Sequence, residues 1–134
     1  MSRQEGTLTS AQFEIMRLLW DATAGLTVAE IWTAICQRRA VSRTTVLNLV
    51  DRLEKRNWLR REKQAGLFRY FANVDRQATE AQLSAEFVGE YFDGSPASFL
   101  LSLLGSQKVS ASEIEQLKSL LSQQIDSESR NSKE

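Results

Sequence analysis

Thr44, Leu47, Asn48, Asp51 and Lys55 recur at three- and four-residue spacing in the stretch VSRTTVLNLVDRLEK. On a helix they would share one face. A face mixing hydroxyl, amide and one apolar side chain suits the edges of base pairs. An asparagine can pair with an adenine edge, a threonine can hydrogen-bond, and a leucine can touch a thymine methyl. The other side of the same helix carries Val46, Leu49, Val50 and Leu53, the spacing of a buried stripe. Basic residues surround this unit: positions 38–69 hold 10 Lys/Arg against 3 Asp/Glu. That excess fits a polyanion. The plainer alternative is a solvated amphipathic helix in a chance cluster of charges.

Other chemistries find little support. The 134 residues include no histidine and one cysteine, Cys36. A histidine-dependent triad, the usual zinc sites and an intrachain disulfide are therefore excluded. There is no glycine-rich phosphate loop, and no pair of acidic residues is placed by a motif. The chain reads as a non-enzyme without cofactor or metal. Cys36, among apolar neighbours, reads as a small core residue. With 42% hydrophobic and 25% charged residues the composition is that of an ordinary globular protein. No apolar run is long enough to span a bilayer and no secretory h-region is present, so a cytoplasmic location away from membranes is expected.

The elements that must position the helix can be read around it. Ser42 is its cap, with Arg43 opening the first turn. Capping boxes at Thr9/Gln12 and Thr27/Glu30 start two earlier helices. These carry Phe13, Met16, Leu19 and Trp20, and Val28, Ile31, Trp32 and Ile35. Leu26 is a candidate short strand. Trp58 to Glu62 and Leu67 to Phe71 are strand-like runs around a Lys63–Gly66 turn. Three helices and a basic hairpin outline a winged helix-turn-helix, with the third helix in the recognition position and the second crossing the DNA backbone. Residues 1–6 read as disordered.

The fold class is thus mainly α with a small β hairpin: a winged helix-turn-helix over 1–74, then a helical dimerisation domain over 75–126 and a polar, disordered tail over 127–134. Asp75, Ser95-Pro96 and a capping box at Ser110/Glu113 start three C-terminal helices, and Gly105 is read as the stop of the middle one. About 50 residues with rich apolar surface form a poor domain alone and call for a partner, most simply a twofold copy. The charge is split: residues 1–76 hold 13 Lys/Arg and 8 Asp/Glu, residues 77–134 hold 4 and 9.

LTSAQFEIMRLLW, LTVAEIW, VSRTTVLNLVDRLEKRNWLRRE and SASEIEQLKSLL, in this order and spacing, resemble the penicillinase-repressor (BlaI/MecI/CopY) family from about Leu8 to Gln124. The resemblance implies a bacterial winged-helix repressor, a homodimer that binds a double-stranded DNA operator of dyad symmetry. By position, it assigns base reading to Arg43, Thr44, Thr45, Leu47 and Asn48, with Ser42 near phosphate, and the wing to Lys63 through Arg69. Arg52, Arg61, Lys63 and Arg69 complete the expected DNA-binding set. The dimer interface maps to Phe87, Tyr91, Phe99, Leu100, Leu103, Ile114, Leu117 and Leu121. Two departures stand out. The penicillinase branch is switched by cleavage at an Asn-Phe bond, and the aligned pair here is Ser102-Leu103. The copper branch carries Cys-x-Cys pairs, and residues 73–134 contain no cysteine. Two other readings stay open: a winged-helix regulator sensing a small ligand, and a winged-helix module that binds protein.

Overall fold

The computed structural model describes residues 6–132. The expected disorder of residues 1–5 lies outside them. Six helices and one hairpin follow the chain as α1 (Ser10–Asp21), α2 (Val28–Cys36), α3 (Arg43–Lys55), β1 (Leu59–Gln64), β2 (Leu67–Ala72), α4 (Arg76–Tyr91), α5 (Pro96–Gly105) and α6 (Ala111–Ser132). Two compact units divide at Leu83/Ser84, inside α4.

Every helix start expected from the sequence is capped as expected. Thr9 and Gln12, and Thr27 and Glu30, form reciprocal boxes at α1 and α2. Ser42 Oγ accepts from the Thr45 N–H at 3.1 Å. Asp75 accepts from Ala78, Ser95 from Ser98, and Ser110 exchanges bonds with Glu113. Each satisfies donors that a helix N-terminus leaves open.

The first unit has one core. Ile15, Met16 and Leu19 of α1 meet Ile31 and Ile35 of α2, Val46, Val50 and Leu53 of α3, and Trp58, Leu59 and Tyr70 at the base of the hairpin. α3 ends where Asn57 takes a left-handed conformation (φ 65°). The Trp58 N–H then reaches the Leu53 carbonyl at 2.9 Å, and the Asn57 N–H that of Glu54 at 3.0 Å. This closure turns the chain directly into β1.

The hairpin is tighter than expected. Gln64 pairs with Leu67, leaving Ala65 and Gly66 as a two-residue turn with φ of 51° and 81°. Positive φ at both positions matches the right-handed twist of the strands. Leu26, the candidate short strand, forms a single isolated antiparallel bridge, its N–H and carbonyl bonded to Tyr70 at 3.1 and 2.8 Å.

Three other expectations are corrected. Cys36 is exposed, not core. It lies one residue past Ile35, which faces inward, so the helical turn carries it outward. Gly105 is part of α5, and the left-handed residue ending that helix is Gln107 (φ 62°). The expected tail is helical through Ser132, because residues 127–132 contain neither glycine nor proline to stop α6.

The second unit is built differently. Phe87, Phe92 and Phe99 stack against one another at 5.3–5.9 Å, with Tyr91 on Phe87 at 4.9 Å. Among the described residues from Ser84 onward, none is buried. Also among the described residues, no helix is long and apolar enough to cross a membrane.

Candidate nucleic-acid interface

α3 presents the expected face to solvent. Thr44, Asn48, Asp51 and Lys55 are exposed, and Leu47 keeps 48% of its surface in water. Val46, Val50 and Leu53 take the core side, with Leu49 half-buried beside them. Lys55 pairs with Asp51 at 3.0 Å, so the far end of this face is locally neutral. Arg43 and Arg52 make no ion pair among the described residues. At the near end the Ser42 and Thr45 hydroxyls lie 2.8 Å apart.

The approach of this helix is set from behind. The Trp32 indole N–H donates to the Val41 carbonyl at 2.8 Å, and the Cys36 Sγ lies 3.5 Å from the same oxygen. The turn between α2 and α3 is thereby tied to α2 immediately before Ser42.

Strand alternation sorts the wing. Arg61, Lys63, Phe68 and Tyr70 share one face of the hairpin, as the register requires. On that face the Arg61 guanidinium sits 4.3 Å from the Phe68 ring centre, and the Lys63 ammonium sits 5.9 Å from it. Arg61 also reaches Glu54 of α3 at 3.2 Å, linking the hairpin to that helix. Arg60, Glu62, Arg69 and Phe71 occupy the other face. Arg69 does not join Arg61 and Lys63. It bonds the Gly25 carbonyl at 2.9 Å and Glu30 at 3.3 Å.

Glu30 is held below the usual carboxylate range, chiefly by the Thr27 backbone N–H that donates to it. The Thr27 hydroxyl and the Arg69 charge act in the same direction, against an opposing effect of burial.

Sequence reasoning missed some neighbours. Arg17, Arg38 and Arg39 line an open groove between α1 and the turn that follows α2, with Arg39 bonded to Glu14 at 2.7 Å. Arg38 and Arg39 were legible only as part of the basic excess. Phe68 supports two cations through cross-strand geometry, which needs the register of the hairpin to be seen.

A family model described as penicillinase repressor matches residues 8–123. The chain belongs to the penicillinase-repressor family. Members of this family are winged-helix DNA-binding repressors of transcription, not enzymes. The chain is 27% identical to the methicillin resistance regulatory protein MecI of Mammaliicoccus sciuri over 124 residues, spanning 90% of this chain and 98% of the relative. It is 22% identical to a penicillinase repressor of Staphylococcus aureus over 121 residues, 90% and 95% of the two chains. Among solved structures, a mutant of S. aureus MepR aligns over 90% of this chain and 80% of its own, with 26% identity and a TM-score of 0.52. The DNA-binding domain of the repressor BlaI aligns over 57% of this chain and 90% of its own, with 22% identity and a TM-score of 0.50.

The expected interface residues of the second unit are partly or fully open within one chain. Phe99, Leu100, Leu103, Ile114 and Leu117 are half-buried, while Phe87, Tyr91 and Leu121 are exposed. Leu101, Leu104, Leu120 and Ile125 are exposed as well and were not on the expected list. The signal for the first two was present: a helix apolar on all sides must be covered by something.

Proposed function

We propose that this protein is a homodimeric, sequence-specific repressor that binds a DNA operator of dyad symmetry through α3 and the wing. One observation carries the DNA contact. The face of α3 formed by Thr44, Leu47 and Asn48 contributes nothing to the core, yet it offers donors, acceptors and an apolar contact in a row. Arg43 and Arg52, without an ion pair among the described residues, flank it, and Arg61 and Lys63 stand on the adjoining wing face. In this reading Arg43, Thr44, Thr45, Leu47 and Asn48 meet base edges. Ser42, Arg52, Arg61 and Lys63 meet phosphates, which fix register without reading sequence.

The dimer reading rests on the second unit. A segment of some fifty residues with none buried among those described, and with Phe87, Tyr91, Leu101, Leu104, Leu120, Leu121 and Ile125 exposed, cannot be a finished domain. A second copy, joined by a twofold axis, covers such a surface and sets two α3 helices on two half-sites.

The test is selection of random double-stranded DNA by the purified full chain, followed by sequencing. Enrichment of an inverted repeat is expected. Recovery of DNA with no enriched sequence would leave only non-specific binding and overturn the reading. Enrichment of a single half-site would overturn the dyad.

A further inference from the structure

We infer that Arg69 is a positioning residue for the wing rather than a phosphate contact. Its place in the strand is the first argument. The side chain lies on the opposite face of the hairpin from Arg61 and Lys63, and only 29% of it is exposed. Its partners are the second. One nitrogen, Nη1, donates to the Gly25 carbonyl at 2.9 Å and lies 3.3 Å from Glu30 Oε1. Its cross-strand neighbour Glu62 is left to Arg60, at 3.6 Å.

The partners explain what is being positioned. Gly25 has φ 75° and lies against Phe71 so closely that a Cβ there would come within 2.7 Å of the ring. The next residue, Leu26, forms the two bonds to Tyr70. Glu30 belongs to the capping box that starts α2. Arg69 therefore closes a clasp joining β2, the segment before α2 and the first turn of α2. One guanidinium thus ties the hairpin to the start of α2, beside the two Leu26–Tyr70 bonds. A cation spent in this way has little left for a phosphate.

Glu30→Gln separates the two roles, because it keeps an oxygen for the Thr27 N–H while removing the charge beside Arg69. If Arg69 contacts phosphate, the substitution frees it and removes a nearby negative charge, so DNA binding tightens. If Arg69 positions the wing, binding weakens. Arg69→Met is the companion variant. The binding arm rests on the proposed DNA reading; the other arm does not. In the free full-length protein, amide hydrogen exchange at Leu26 and Tyr70 should quicken about tenfold in Arg69→Met, the scale of a lost charge-assisted hydrogen bond. It should quicken roughly threefold in Glu30→Gln, the scale of a partly exposed ion pair. Amides of the core at Ile15 and Met16 should keep their rates. Unchanged exchange at Leu26 and Tyr70 would overturn the clasp, as would equal quickening throughout the core, which would mean plain loss of stability. Tighter DNA binding by Glu30→Gln would restore Arg69 to the phosphate contacts. Absence of DNA binding by the wild type would sink the functional reading and leave the exchange result to decide the clasp.

Discussion

Asn48 offers a donor and an acceptor from the exposed face of α3, and Thr44 lies one turn before it. If they meet base edges, Asn48→Ala should lose about 1–3 kcal/mol of discrimination at one or two base pairs, the worth of a bidentate contact. Thr44→Ala should act at a neighbouring position. Arg61→Ala and Lys63→Ala should weaken operator and random DNA alike, since phosphates carry no sequence. Competition binding against single-base operator variants separates the classes, and equal losses for Asn48→Ala on all sequences would remove it from the reading set. Arg43, Arg52, Arg61 and Lys63 on two subunits bring about 8 cations to the DNA, hence a log–log salt slope near roughly −7. At this scale the sequence was legible wherever helical period decides: Val46, Val50 and Leu53 inward, Thr44, Leu47 and Asn48 outward. It was not legible where a side chain chooses among partners distant in sequence. Nothing local says that Arg69 turns to Gly25, 44 residues away, or that Arg61 rests on Phe68.

Among the elements, helix starts were the most legible, because a capping box is a local pattern whose two bonds form within four residues. The boxes also differ in a way that pH should expose. The α1 box closes with Gln12, whereas those of α2 and α6 close with Glu30 and Glu113. Both carboxylates lie below their ordinary value, each chiefly because a backbone N–H donates to it, from Thr27 and from Ser110. The unfolded chain therefore takes up these protons first as pH falls. The stabilisation is complete above the ordinary glutamate value of about 4.3 and is lost as pH drops through the lower folded values. Urea midpoints across that window should fall less steeply in Glu30→Gln than in the wild type. The hairpin turn is tighter than its sequence shows. Gly66 marks a turn, but Ala65 gives no sign that it also adopts positive φ, at 51°. That conformation costs alanine roughly 1 kcal/mol, and asparagine tolerates it. Ala65→Asn should raise the urea midpoint, by about 0.5–1 kcal/mol of stability, without altering the register. A lower midpoint would mean that the turn does not bear this strain.

In the whole molecule, the first unit closes its own core and the second does not. On the dimer reading, assembly is what buries Leu101 and Ile125, now 74% and 65% exposed. Leu117→Asp should place a charge against that surface and yield monomers or aggregates in sedimentation; a wild-type monomer at micromolar concentration would contradict the premise. The same architecture bears on how the repressor is switched off. The resemblance to the family's penicillinase branch implies a cut in the C-terminal helices that dissolves the dimer, each half-operator alone then being bound weakly because effective concentration is lost. Here the aligned bond joins Ser102 to Leu103 in α5, which has no buried residue within one chain. In the dimer a protease would need local opening to reach it. We propose that this protein keeps the dissociation logic without being cut at an Asn-Phe-type bond, since Ser102 and Leu103 stand in place of that pair. A protease site engineered at residues 102–103 should abolish the operator shift once cleaved, because α6 and part of α5 are severed from the reading head. Unchanged affinity after complete cleavage would refute the dissociation logic. Terminal sequencing of the protein from induced cells tests the other half, and a natural cut between Ser102 and Leu103 would show that the penicillinase-type switch tolerates the substituted pair.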